Sequence, residues 1–337
     1  MRRLVWNDAE RRPRAPFRVV LFVVVTALLA GGTSAGASVG LGLRARLAAI
    51  AGEAVAAATS AVAGIALVGG TVTVAILIAG RYIDRRRLRD FGLRLDRGWW
   101  IDCGFGLALG AALLTVVFAA GVGAGWVRVT GTARPGAGVV VRFLGLVATF
   151  VIVGVYEELL LRGYLLTNAA EGLVGWIGDR GAAAGAVTVS SLVFGLAHAN
   201  NPNATLVSTV AIVLAGGMLA AGYVLTGELA VPIGLHTTWN LFQGGVYGFP
   251  VSGLGVDVTL IAVEITGPRR VTGGAFGPEA GLLGVGAMLL GTGAIVAWVR
   301  WRTGRVALAP AVVRPDLRDP KNEDGDDVNP DRWEPAP

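Results

Sequence analysis

The sequence is poor in the residues that most often build sites in water. Cys103 is the single cysteine, so no intrachain disulfide and no cysteine-based zinc site can form. His198 and His236 are the only histidines, and any chemistry that needs imidazole must use them. Charge is scarce too, at 15% of residues, against roughly 25% in soluble domains. What takes its place is apolar. With 54% hydrophobic residues in long uncharged runs, the chain cannot be an ordinary soluble globule and is expected to live in a bilayer. Abundant glycine, 51 residues, suits helix backbones that pack closely in lipid. The net charge of +6 does not point to nucleic acid, because the basic residues flank apolar spans and form no aromatic-interleaved soluble face.

A helix needs about 20 apolar residues to cross the hydrocarbon. Segments of that kind lie at 17–40, 54–80, 103–127, 139–168, 182–200, 204–226, 229–249 and 279–301. They predict an all-α polytopic membrane protein with about eight transmembrane helices. Continuous runs of this length are not strands of a lipid-facing barrel, which would alternate. Arg2, Arg3, Arg11, Arg12, Arg14 and Arg18 precede or open the first run, and Arg81 to Arg97 fill the link after the second. Arg300, Arg302 and Arg305 follow the last, so both termini are expected in the cytoplasm of a cell-membrane protein, which requires an even number of spans. The first run also resembles a secretory signal, but removing it would break that parity, so it is read as retained.

Five regions follow from this reading: a basic cytoplasmic segment 1–16, N-terminal spans and an interfacial segment 17–137, a core 138–250 holding helices four to seven, a loop and last span 251–305, and an acidic tail 306–337 expected to be disordered. The connector Asp90–Asp102, with Phe91, Trp99 and Trp100, reads as interfacial. Asn168–Arg180 reads as a short amphipathic link, Asn200–Asn203 as a tight turn and Gly253–Pro278 as an external loop. Arg142 is expected to snorkel to the interface, and Tyr156, Trp176 and Trp239 to pack or anchor, although Tyr156 and Trp239 adjoin the polar clusters and could line a cavity.

Three polar clusters interrupt the apolar core. The fourth span contains Glu157, Glu158 and Arg162, where ionised groups cost several kcal/mol unless paired or hydrated. Residues four apart share a helix face, so Glu158 can pair with Arg162, whereas Glu157 is turned about 100° away and is left without its own cation. Such a carboxylate can take a proton from water. Phe194 and His198 share a face of the fifth span, and His236 and Asn240 share a face of the seventh. Taken singly, each histidine could be an interhelical hydrogen bond. Together, these groups supply a base, a second proton carrier and donors for an oxyanion.

The order and spacing of E-E-x-x-x-R at Glu157–Arg162, F-x-x-x-H at Phe194–His198 and H-x-x-x-N at His236–Asn240 resemble the signature of the CAAX-protease and bacteriocin-processing (CPBP, or Abi) intramembrane endopeptidases, including the type II CAAX prenyl endopeptidases. The resemblance covers roughly 139–249. It implies hydrolysis of a peptide bond in a membrane-associated or lipidated (prenyl-type) protein or peptide, with Glu157 activating water and His198 helping to orient or deprotonate it. Glu158, Arg162 and Phe194 would support, and His236 and Asn240 would stabilise the oxyanion. Glu157, His198 and His236 could also hold a zinc ion, so the residues leave a metalloendopeptidase and a metal-free glutamate protease both open. The competing readings are a non-catalytic scaffold or bacteriocin-immunity protein of the same fold, and an ion-coupled transporter, since carboxylates and histidines also build proton relays.

Overall fold

The structure, a computed structural model, describes residues 5–8, 10–134 and 136–314. A helix occupies each of the eight apolar segments. Helix α1 (Ala15–Ala51) turns at Gly52, in the left-handed region at φ 85°, into α2 (Glu53–Ile78), which runs on as a π-helical turn to Asp84. Helix α3 (Arg97–Gly123) is capped by Asp96, whose carboxylate accepts the Trp99 amide at 2.8 Å. Helix α4 (Ala137–Glu158) continues as a π-helix, Leu159–Leu166, into α5 (Thr167–Ala197). Helix α6 (Leu206–Thr226) opens on a capping box between Thr205 and Ser208 and ends at Gly227, φ 72°. Helix α7 (Ala230–Asn240) also passes into a π-helix, Leu241–Val246, and α8 (Leu282–Thr303) closes the bundle.

Five of the helical stretches are long and apolar enough to cross a membrane: 53–84, 97–123, 137–197, 206–226 and 282–303. Large apolar side chains such as Leu67, Val116, Leu144, Leu192, Val210 and Leu289 are exposed along them, the burial pattern of a surface solvated by acyl chains. The seventh segment behaves differently. Ala230 to Trp239 are all buried, so α7 is a central helix enclosed by the others. It lies against α3 closely enough that a Cβ on Gly106 would strike the Val231 carbonyl, and one on Gly234 would strike the Cys103 carbonyl. Glycine at both positions is what lets the two backbones touch.

The 61-residue stretch 137–197 bends back on itself at Gly178 (φ 68°). The Leu173 side chain packs against Gly185, a contact no straight helix allows across that separation. Asn168–Arg180 is therefore helical on both sides of a glycine apex, and not the amphipathic link expected from composition. The consequence is functional: Glu157 and His198 lie at nearly equal separations from residue 178, each about 30 Å of helix at 1.5 Å per residue, and so reach one level.

Other expectations change at the bundle ends. Strand β3 (Val127–Thr132) pairs antiparallel with β4 (Ile261–Ile265), so 253–278 carries half of a small sheet and is not simply a loop. Two further strands, β1 (Trp6–Asn7) and β2 (Arg12–Pro13), form a hairpin before α1. Phe91 and Trp99 are core residues, the Trp99 indole donating to the Gly92 carbonyl at 3.0 Å, and of the three aromatics in the connector Trp100 alone is exposed. Residues 306–314, assigned to the tail by composition, run back along the core: the Ala309 amide bonds the Val224 carbonyl at 2.9 Å, and Val312 and Val313 are buried. The rest of the tail, 315–337, and Arg2 and Arg3 lie outside the described residues.

Several arginines read as topological markers are also structural. Arg12 and Arg18 each donate to Glu171, at 2.8 and 2.7 Å, and Arg86 pairs with the same carboxylate. Arg18 reaches Asp84 at 3.2 Å, and Tyr164 donates to Asp84 at 3.1 Å. This buried network ties the N-terminal hairpin, the end of α2 and the α4–α5 region together. Burial, the largest influence, lowers the Arg86 pKa to about 10 despite the opposing effect of Asp84.

Candidate active site

Helices α4, α5, α6 and α7 enclose a cavity of about 560 Å³. Glu157, His198, His236 and Asn240 all line it, together with Phe194. Its remaining walls are mostly apolar, including Phe150, Leu161, Met218 and Trp239.

Glu158 is fully buried and does not line the cavity. Its Oε1 accepts from Arg162 Nη1 at 2.8 Å and is 2.8 Å from His236 Nδ1. Arg162, equally buried, also donates to the Gly216 carbonyl at 3.0 Å, and its guanidinium lies over the Phe194 ring, 4.8 Å from the centroid. One carboxylate is thus neutralised by a cation and fixed to the imidazole on the next helix. The pairing occurs where α4 widens into its π-helical stretch, a feature that often marks functional sites.

Glu157 faces the opening. Its Oε1 accepts from the Tyr156 hydroxyl at 3.1 Å, and its Oε2, buried and without a hydrogen-bond partner among the described residues, lies 4.0 Å from His236 Nε2. That separation is too long for a direct bond. If His236 Nδ1 carries the proton given to Glu158, Nε2 is an acceptor facing a second acceptor. The gap therefore calls for a donor, either a water molecule or a proton on the imidazole.

His198 ends α5. Its Nδ1 is 2.8 Å from the Phe194 carbonyl, which makes Nδ1 the donor and leaves Nε2 as an acceptor. Phe194 packs edge-on to both histidines, with centroid distances of 4.8 Å to His198 and 5.8 Å to His236. Asn240, half-buried, lines the cavity, where its side-chain amide is available to a ligand. His236, expected as an oxyanion donor, stands between the two glutamates, 2.8 Å from Glu158 and 4.0 Å from Glu157.

Four residues that motif spacing did not select join the site. Tyr156 lines the cavity and its hydroxyl donates to Glu157. Asn201, Ser252 and Glu279 line the far side of the cavity. Glu279 Oε1 accepts the Ser252 amide at 2.5 Å, Gln243 donates to its other oxygen, and Asn201 donates to the Ser252 carbonyl at 2.9 Å. Burial pushes the Glu279 carboxyl up to about 7. Ser252 and Glu279 come from loops remote in sequence, and no local signal marks them, whereas Asn201 lies in the turn that follows His198.

No three His, Cys, Asp or Glu side chains among the described residues are arranged to hold a metal ion. As placed, the donor set does not fit zinc, and the chemistry below uses none.

Residues 139–242 match the family model described as Rce1-like type II CAAX prenyl endopeptidase. The matched segment contains all three motifs and agrees with the CPBP resemblance they carry. The chain has the long apolar helices of an integral membrane protein, and its segment 139–242 is similar to that endopeptidase family. Comparisons with curated proteins and with solved structures give no match.

Proposed function

We propose that the protein is an intramembrane endopeptidase in which Glu157 activates water against a peptide bond of a membrane-associated substrate. The observation that carries this reading is the pairing of two adjacent carboxylates with different environments. Glu158 is tied to Arg162 and His236, while Glu157 keeps an unpartnered oxygen at the cavity wall.

Water in the gap beside Glu157 Oε2 gives one proton to that carboxylate as its oxygen attacks the carbonyl carbon. The other water hydrogen is oriented by Nε2 of His236 or His198, both acceptors in the tautomers above. Asn240 Nδ2 donates to the oxygen that becomes negative in the tetrahedral intermediate, where a fixed donor stabilises charge better than bulk solvent would. As the C–N bond breaks, the proton held by Glu157 passes to the departing amine, and the new carboxylic acid loses the second water hydrogen to solvent, leaving a carboxylate product and the enzyme in its starting state. Arg162 acts through Glu158, which fixes the His236 ring and its tautomer.

The test compares the membrane proteomes of cells carrying the native protein and Glu157→Ala, read by terminal-peptide mass spectrometry. A precursor that accumulates uncleaved only in the variant supports the assignment. Identical termini in both, with a cellular phenotype that survives substitution of Glu157, His198, His236 and Asn240 together, would favour the scaffold or immunity reading.

A further inference from the structure

The cavity is asymmetric between the two ends of the bundle. One end is formed by the N-terminal hairpin, the link 79–97, the α6–α7 turn and residues 304–314, joined by bonds such as Leu229 N to Gly92 O at 2.8 Å and Arg94 to Glu228 at 3.3 Å. Toward that end the cavity has a solid floor. Below Glu158 and Arg162 lie Tyr164, Tyr223, Phe91 and Leu229, all essentially inaccessible, with Thr167 and Tyr223 hydroxyls bonded at 3.0 Å.

Toward the other end the cavity is bordered by the turn 250–254. It is held by Glu279, Gln243 and Asn201, and by the Gly253 amide on the Phe276 carbonyl at 2.6 Å. Leu254, a cavity residue, is 51% exposed there, so the site reaches the surface at this rim. A groove of about 240 Å³ adjoins it, sharing Thr149, Phe150, Val251 and Leu254 with the cavity and adding Arg142 and Asp257. On α5 the exposed Val193 and Ala197 extend the opening sideways toward acyl chains.

The two ends also differ in charge. Among the described residues, the closed end carries more than twice as many arginines as the open one, seven of them between Arg81 and Arg97 alone. Arginine in short connections is retained on the cytoplasmic side, whatever acids accompany it.

We infer that the active-site cavity opens on the non-cytoplasmic face of the membrane, so that its substrate is a peptide segment lying at that surface, entering over the 250–254 turn and from the lipid beside α5. That the occupant is a substrate rests on the protease reading; the direction of opening does not.

The test replaces Cys103 by Ser in the full-length protein and adds single cysteines at Leu254→Cys or Val256→Cys at the rim, with Arg305→Cys as the marker of the opposite end. Right-side-out membrane vesicles are treated with a membrane-impermeant maleimide before and after permeabilisation. The expected result is labelling of either rim cysteine in intact vesicles, with Arg305→Cys labelled at least tenfold more after permeabilisation. The reverse pattern would overturn the inference and return a cytosolic lipidated tail as the candidate substrate. Labelling needs no catalysis, so failure here is distinct from failure of the Glu157→Ala comparison.

Discussion

Replacing Arg162 with Gln removes the one cation beside Glu158 while keeping a polar side chain of similar reach. Both partners are fully buried and 2.8 Å apart, so water cannot replace the guanidinium. Breaking such a pair from one side costs about 3–5 kcal/mol, a large part of the 5–15 kcal/mol typical of whole proteins. The Gly216 carbonyl loses its donor as well. The double variant Glu158→Gln, Arg162→Gln removes both charges and is expected to regain most of that loss, because the penalty lies in the stranded carboxylate. It should not regain activity, since His236 Nδ1 would no longer face a carboxylate. Denaturant unfolding in detergent, alongside cleavage of the precursor, reads both quantities. A single variant that costs under about 1 kcal/mol, as an exposed pair would, would refute the claim that this pair is sealed from water.

Gly234→Ala should destabilise the protein and lower activity together, by pushing α7 off α3 and shifting His236; thermal unfolding and cleavage rate measured on the same sample check this. Glu279 holds its proton to about pH 7 in the fold, against an ordinary value of 4.5. The folded state then binds more protons across that window, so stability is greatest below it and falls by roughly 3 kcal/mol as pH rises through it. Unfolding midpoints at pH 5 and pH 8 should show the drop in the native protein and a flatter profile in Glu279→Gln. Exhaustive chelation followed by metal analysis is expected to leave cleavage intact; loss of activity restored by added zinc would mean that the site rearranges around a metal.

Much of this site was legible in the sequence because burying charge in lipid is costly, so Glu157, Glu158 and Arg162 stood out against their neighbours, and helix periodicity alone separates Glu158, four residues from Arg162, from Glu157. The apolar runs likewise placed a helix in every segment where one is found. Other features were hidden for physical reasons. A glycine apex inside continuous helix, as at Gly178, looks like any other glycine in a glycine-rich chain, yet it sets the depth at which His198 meets Glu157. The position of His236 between the two glutamates depends on the α3–α7 backbone contact, which spacing within one motif does not contain. Glu279 and Ser252 join the cavity through loop geometry far from the motifs. Residues 306–314 are largely apolar, but the run is too short to read as a span and so does not announce that it packs on the core.

The role of Glu157 is tested most directly by the turnover of purified Glu157→Gln on the precursor that accumulates in its absence. The amide keeps the shape of the side chain and cannot take a proton from water. Turnover should fall by at least about 10²-fold, with unfolding unchanged because the buried arginine of the site pairs with Glu158 and not with Glu157. Turnover equal to that of the native protein would show that another group activates the attacking water.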